Sequence, residues 1–303
     1  MLSLTFLGTS AARPTVERSV SAIALQREGE TLLFDCGEGT QRQMMRYGVG
    51  FTLSEVFFTH FHSDHVLGLA GLVRTLGLQG RTEPMTIWGP DGARRILGGL
   101  LEVGYERSPF EITITEIGPG TKIERGDYDL EVIAADHGGG AVSWVLRERE
   151  RLGRFDPDKA RALGIPEGPL WGKIHKGETV TVEGRTIAPA ELVGAPRPGR
   201  LVAISGDTRP TAQLVDAAQG ADLLVHEATF SHEESERAVE TRHSTAREAA
   251  QVALDARVRR LVITHVSARF SMSVEPLLEE AREVFPETVV AKDGMMIEVP
   301  FPD

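Results

Sequence analysis

Residues 55–78 read "EVFFTHFHSDHVLGLAGLVRTLGL". An alternating β-branched and aromatic run opens the stretch, and a run with helical spacing closes it. Between them stand His60, His62, Asp64 and His65. Three imidazoles and a carboxylate are costly groups to place where an apolar segment turns from strand to helix. In an extended chain residues i and i+2 point the same way, so His60 and His62 are expected to converge, with Asp64 and His65 joining them from the start of the helix. Imidazole nitrogens beside a carboxylate suit Zn²⁺ or another first-row divalent ion. Four ligands on one tight turn cannot all close around one ion, so two ions are expected, with further ligands from elsewhere. Three other apparent strands end in suitable residues: His137 in "EVIAADHGGG", Asp207 in "LVAISGDTRP" and His265 in "RLVITHVS".

The rest of the chain is built in the same style. Strand-like runs lie at 2–8, 21–26, 31–35, 55–60, 85–89, 112–117 and 129–135, then at 201–207, 221–227, 260–265 and 288–299. Helical spacing recurs at 64–78, 244–256 and 274–285. This alternation predicts an α/β chain with two sheets and helices outside them, folded as a single domain over 1–303. One segment breaks the style. From Arg147 to Lys176 the chain is polar, punctuated by Gly and Pro, and carries eight Arg or Lys against five Asp or Glu. That +3 stands out against a net charge of −11 for the whole. Residues 147–178 are expected to form an inserted, flexible, mildly basic arm.

Composition narrows the classes. A 303-residue chain with 41% hydrophobic and 25% charged residues is ordinary for a soluble globular protein. No run of about 18 apolar residues is present, so no membrane span is expected. The N-terminal "MLSLTFLGTSAARPT" reads as a strand entering a turn, not as a signal peptide. Cys36 is the single cysteine, which forbids an intrachain disulfide and points to a reducing cytoplasm. The acidic balance argues against an indiscriminate nucleic-acid binder, yet RNA binding depends on where basic groups lie, not on their sum.

Several segments together carry a more specific likeness: "FLGTSAARPTVERSVSAIAL", "LLFDCGEGTQRQ", "THFHSDHVLGL", "LGIPEGPLWGKIHKGETV", "SGDTRP", "HEATF", "HSTAREAA" and "LVITHVSARF". In this order the chain resembles the ribonuclease Z family, the tRNA 3′-processing endonucleases of the metallo-β-lactamase superfamily. The resemblance implies an αββα four-layer sandwich with a protruding arm and two divalent metal ions per subunit, zinc first and manganese as the alternative. It implies that His60, His62 and His137 hold one ion, that Asp64, His65 and His265 hold the other, and that Asp207 bridges them. Asp64 would also accept the proton of the attacking water. His243, just before a helix N-terminus where a phosphate is favoured, would be the general acid, held by Glu227.

The substrate side follows in the same way. The resemblance implies that Gly168 and Pro169 in the arm grip precursor tRNA, and that in a homodimer the arm serves the other subunit's site. Arg209, Arg247 and Arg269 lie beside site motifs and are expected near phosphates, with Ser244 and Thr245 beside the scissile group. "TARE" is at the same time a capping box that would start a helix at Thr245. His226 reads as a strand-end residue, and Cys36 as a packed, unreactive thiol beside a tight turn at Gly37 and Gly39. In "PTVERS" the residues Pro14 and Arg18 match the family's 3′-end loop, whereas Val16 and Ser19 depart from it. Removal of a 3′ trailer from precursor tRNA is thus the leading expectation. A phosphodiesterase for small cyclic or aryl esters would not need the arm, and a non-enzymatic RNA-binding module would not need seven ligands.

Overall fold

The computed structural model describes residues 1–105, 107–182 and 184–302. They form two compact units, one of Met1–Arg147 with Leu201–Pro300, the other of Glu148–Arg200 with the chain end from Phe301.

In the first unit strands β1 (Leu2–Gly8), β2 (Ala22–Arg27), β3 (Glu30–Phe34), β4 (Leu53–Phe57), β5 (Met85–Gly89) and β6 (Ile112–Glu116) build one sheet. The chain then crosses to a second sheet through β7 (Lys122–Glu124), β8 (Tyr128–Ala134) and β9 (Val142–Glu148). After a hairpin of β10 (Val180–Val182) and β11 (Arg185–Ile187) in the other unit, the second sheet is completed by β12 (Leu201–Ile204), β13 (Leu223–Glu227), β14 (Leu261–Thr264) and β15 (Thr288–Val290). Strand β16 (Met296–Glu298) returns to the first sheet beside β1. Each large sheet has seven strands, in the orders β16-β1-β2-β3-β4-β5-β6 and β15-β14-β13-β12-β9-β8-β7.

Strand alternation sorts the apolar side chains into three layers. Leu4, Phe6, Leu32, Phe34 and Phe57 of the first sheet meet Trp144, Leu146, Val202, Val225 and Val262 of the second, filling the space between the sheets. On the outer face of the first sheet Leu33, Val56 and Ile87 pack under helices α1 (Thr40–Arg46), α3 (Leu69–Leu78) and α4 (Ala93–Leu101), with the single turn α2 (Ser63–Val66) preceding α3. The residues skipped on β13 and β14, Leu224, Leu261 and Ile263, face outward. The expected αββα sandwich is therefore present.

The second unit has its own small core of Ala160, Ile165, Ile174, Val180, Ile187 and Leu192. It holds α5 (Pro157–Ala162), whose cap is Asp156 accepting from the Lys159 N–H at 2.9 Å, and α6 (Pro169–His175). Gly168 before α6 has φ +140°, a backbone state that side chains rarely tolerate, and Pro169 takes the first helical position, which needs no N–H. At the base Arg151 and Arg197 exchange backbone hydrogen bonds of 2.7 and 2.9 Å. The bulk of the segment expected as an arm lies here, but the unit runs on to Arg200 and includes the β10–β11 hairpin. The sandwich is completed by α7 (Ala212–Ala217), α8 (Ser235–Thr241), α9 (Ala246–Asp255) and α10 (Glu275–Val284), of which α7, α9 and α10 cover the second sheet.

Three expected elements are corrected. The strand expected at 55–60 ends at Phe57, so His60 and His62 lie in the turn beyond it. The helix expected over 64–78 is broken between Val66 and Leu69. Gly68 sits in that break against Gly37, where an added Cβ would stand 1.9 Å from the Gly37 carbonyl oxygen, so close backbone contact outweighs helix continuity. The run at 288–299 is two strands in different sheets, divided by a turn in which Gly294 has φ +81° and donates its N–H to Phe6 O at 2.7 Å.

Candidate metal centre

Parallel strands of both sheets finish at one edge of the sandwich. Asp35 follows β3, the His60–His65 turn follows β4, and Asp207, Glu227 and His265 lie at or just beyond the ends of β12, β13 and β14. A crevice outside the carboxyl ends of strands is where α/β sheets bind ligands. The two sheets approach closely there. Gly206 has φ +60°, and a Cβ on it would stand 2.7 Å from the Thr59 side chain. Asp35 and His265 are themselves left-handed, at φ +57° and +56°, strained states that non-glycine residues hold only where the surroundings fix them.

All seven expected ligands converge. His60, His62, His137 and Asp207 bring one ligand atom each within 4.8 Å of one another, as do Asp64, His65 and His265. Asp207 lies between the groups, its Oδ2 3.5 Å from His60 Nε2, 4.0 Å from His137 Nε2, and 3.4 Å from both His65 Nε2 and His265 Nε2. Asp64 Oδ2 lies 3.3 Å from His265 Nε2 and 3.6 Å from His65 Nε2, and accepts the Ala12 N–H at 2.7 Å. The His60 and His62 rings do converge, with centroids 4.7 Å apart, although the turn rather than a strand brings them together.

The surrounding hydrogen bonds aim the rings. His65 Nδ1 donates to Asp35 Oδ2 at 2.8 Å, and His137 Nδ1 donates to the Arg242 carbonyl at 2.7 Å. Both rings therefore aim Nε2 at the cluster. His60 Nε2 is buried and has no hydrogen-bond partner among the described residues. Burial and the neighbouring imidazoles hold His60 well below the ordinary histidine range, so it is neutral. The Thr59 hydroxyl donates to Asp35 Oδ2 at 2.9 Å and so accepts from His60 Nδ1 at 3.0 Å, which leaves the lone pair on Nε2. Burial alone would raise Asp207, but the imidazoles of His265, His65 and His60 hold it well below the usual carboxylate range. A buried bare nitrogen and the Nε2 atoms of His65 and His265 only 3.3 Å apart are poor company without a cation between them. The donor set of imidazoles and carboxylates thus fits divalent metal ions.

Beside the ligands, His243 Nδ1 donates to Glu227 Oε1 at 2.8 Å. Burial works against a charged His243, but Glu227 and then Asp207 raise its pKa to about 9. His62, Asp64, His243, Arg13, Arg237 and Arg269 line a pocket of about 490 Å³ over this edge.

Several expected substrate contacts are instead internal. Ser244 is fully buried and its hydroxyl donates to Thr208 O at 2.6 Å. Thr245, also fully buried, caps α9 by accepting the Glu248 N–H. Arg209 is held by Glu248, with Nη1 2.8 Å from Oε2, and also donates to the His243 carbonyl at 2.7 Å, so it braces the loop that carries His243. Arg247 pairs with Glu283 at 2.6 Å, away from the pocket lining. Arg18 of the 3′-end loop is buried against Thr9 and Ala291. Of the expected arginines Arg269 alone lines the pocket, beside Arg13 and Arg237, which the sequence reading did not single out. Gly168 and Pro169 are exposed in the second unit. Cys36 is buried, with its thiol pushed up to about 12 by burial, as an unreactive packing residue should be. Asp35 was also missed, although an aspartate ending the apolar run "TLLF" carries the same signal as Asp207.

Comparison with known proteins agrees with this geometry. A family model described as "Anti-Pycsar protein Apyc1" matches residues 2–144. The chain is 58% identical to "Ribonuclease Z" of Gemmatimonas aurantiaca, covering 98% of this chain and 96% of that protein. It is 53% identical to "Ribonuclease Z" of Myxococcus xanthus, covering 100% and 99%. Among solved structures it is similar to the short form of human tRNase Z, with TM-score 0.73, 27% identity and coverage of 99% and 100%. The metallo-β-lactamase fold protein YhfI of Bacillus subtilis shares the fold, with TM-score 0.70, 18% identity and coverage of 98% and 100%. No helix among the described residues is long and apolar enough to cross a membrane. With relatives this similar along its whole length, the chain belongs to the ribonuclease Z family.

Proposed function

We propose that this protein is a metal-dependent endoribonuclease that removes the 3′ trailer from precursor tRNA and leaves a 3′-hydroxyl on the tRNA. The observation that supports this most strongly is the meeting of two ligand groups at Asp207 with the His243–Glu227 pair beside them, in a chain of this family. His60, His62 and His137 would hold one ion, Asp64, His65 and His265 the other, and Asp207 would bridge. The histidine-rich set favours zinc, with manganese as the alternative. Bound there, two divalent ions supply acidified water and neutralise charge at the phosphoryl oxygens of an in-line displacement.

The chain's own residues supply the rest. Asp64 accepts the proton of the attacking water. Burial would raise its pKa, but its contacts with His265 and His65 hold it below the usual carboxylate range, so it is ionised. As the bond from phosphorus to the 3′-oxygen breaks, that oxygen takes a proton from His243. Glu227 accepts from Nδ1 of this ring, which favours the charged form and leaves Nε2–H as the donor toward the pocket. Arg13, Arg237 and Arg269 would meet the backbone phosphates on either side.

The second unit, with Gly168 and Pro169 exposed at the start of α6, is proposed to grip the precursor away from the scissile bond. The enzyme is proposed to act as a cytoplasmic homodimer, so that the grip and the chemistry on one tRNA come from different subunits. Light scattering of the purified protein tests the dimer. Cleavage of precursor tRNA lacking CCA, with both product ends sequenced, tests the reaction. An uncut precursor in metal-replete protein would contradict it.

A further inference from the structure

Thr229 stands two residues beyond the end of β13, and neither the metal nor the acid reading gives it a role. Its Oγ1 lies 2.7 Å from Glu227 Oε2, 2.9 Å from His265 Nδ1 and 3.3 Å from His243 Nδ1. Glu227 is almost fully buried, and both its oxygens already accept. Oε1 takes the Thr208 N–H at 3.0 Å and His243 Nδ1 at 2.8 Å, and Oε2 takes the Thr229 N–H at 3.2 Å. The Thr229 hydroxyl hydrogen must therefore point at Oε2. Only lone pairs of that hydroxyl then remain for His265, so the 2.9 Å contact requires the proton on His265 Nδ1. This leaves the lone pair on Nε2, which faces Asp64 Oδ2 at 3.3 Å and Asp207 Oδ2 at 3.4 Å.

We infer that Thr229 is a positioning residue that fixes the metal-binding tautomer of His265 and ties it to the same buried carboxylate that holds His243. The inference rests on the reading of this site as a metal centre. One buried anion then sets two rings with different tasks: a ligand, through a hydroxyl, and a proton donor, directly. Asp35 supports His65 and the Arg242 carbonyl supports His137 separately, so Thr229 acts on the ligand set through His265. The hydroxyl is also separable from the fold. A valine here keeps the β-branched shape and the backbone N–H to Glu227 while leaving a buried His265 N–H without its acceptor.

The test is zinc affinity by competition with a chromogenic chelator on metal-stripped protein, for wild type, Thr229→Val and Thr229→Ser. Wild type should take two ions. Thr229→Val should bind one of them about 10–100-fold more weakly, the usual effect of losing a support behind a ligand histidine, and Thr229→Ser should restore it. Equal affinities for both ions in wild type and Thr229→Val would overturn the inference while leaving the metal-centre reading intact. A wild-type protein that takes no zinc would sink that reading itself. If the valine variant does not fold, nitrogen-15 NMR of histidine-labelled, metal-free wild type decides. His265 should carry its proton on Nδ1, and a proton on Nε2 would overturn the inference.

Discussion

Replacing His243 by alanine removes the ring that donates to Glu227 at 2.8 Å and presents its other nitrogen to the pocket. A positioned general acid contributes about 10²–10⁴-fold, which is about 2.7–5.4 kcal/mol of barrier at 1.36 kcal/mol per factor of ten. The pocket of about 490 Å³ admits water to the space the ring leaves, and that water can serve as a poor substitute acid. The loss on precursor tRNA is therefore expected in the lower part of the range, about 10²–10³-fold. On bis(p-nitrophenyl) phosphate the leaving p-nitrophenolate needs no proton, and the loss should stay under about tenfold. Single-turnover rates at saturation, with metal content measured on the same samples, separate the effects. Metal content matters because the His243 ring packs 5.4 Å from that of His265 and 4.7 Å from that of His137. An equal fall on both substrates in fully loaded protein would refute the acid role, and a fall that tracks metal loss would recast His243 as a support for the ligands.

The pH profile gives a second view of the same group. The acid form exists below the His243 pKa and is lost as pH rises through it. Glu227 and Asp207 raise that pKa to about 9 against the pull of burial, and two bound cations should draw it lower. Cleavage should thus fall along an alkaline limb below about pH 9 that His243→Ala lacks, and an unchanged limb in the variant would contradict this. Asp64→Ala should retain under about a tenth of the wild-type rate, a barrier increase of at least about 1.4 kcal/mol, and should weaken the ion held with His65 and His265. A faster variant with full metal would remove Asp64 from both roles. Replacing residues 152–196 by a short glycine linker is feasible because Arg151 and Arg197 already exchange backbone hydrogen bonds. It should raise KM for precursor tRNA about tenfold or more and leave the small diester nearly unaffected. Equal losses on both would mean that the second unit supports the site instead.

The sandwich was legible because its strands are short apolar runs bounded by turn residues, and β1 and β5 fall at the expected limits. Errors came where tertiary contact overrode local pattern. The run at 288–299 alternates well enough for one strand, yet the Gly294 turn sends its halves to different sheets. Helix α4 escaped notice because "ARRILGGLL" carries two glycines, which lower helix propensity. The candidate ligands were visible because His and Asp at strand ends have few structural reasons to be there. Their supports were not, because they reach across the fold, from Asp35 to His65 and from the Arg242 carbonyl to His137. Burial also reversed the reading of Ser244, since a hydroxyl bonded to Thr208 O inside the core cannot meet a substrate.

The most direct test of the central claim is cleavage of a CCA-less precursor tRNA by protein whose metal content has been measured on the same sample. The account predicts two divalent ions per chain and one endonucleolytic cut, giving a tRNA with a 3′-hydroxyl and a trailer with a 5′-phosphate. Protein that carries both ions yet leaves the precursor intact, while hydrolysing a small cyclic or aryl phosphodiester, would contradict it.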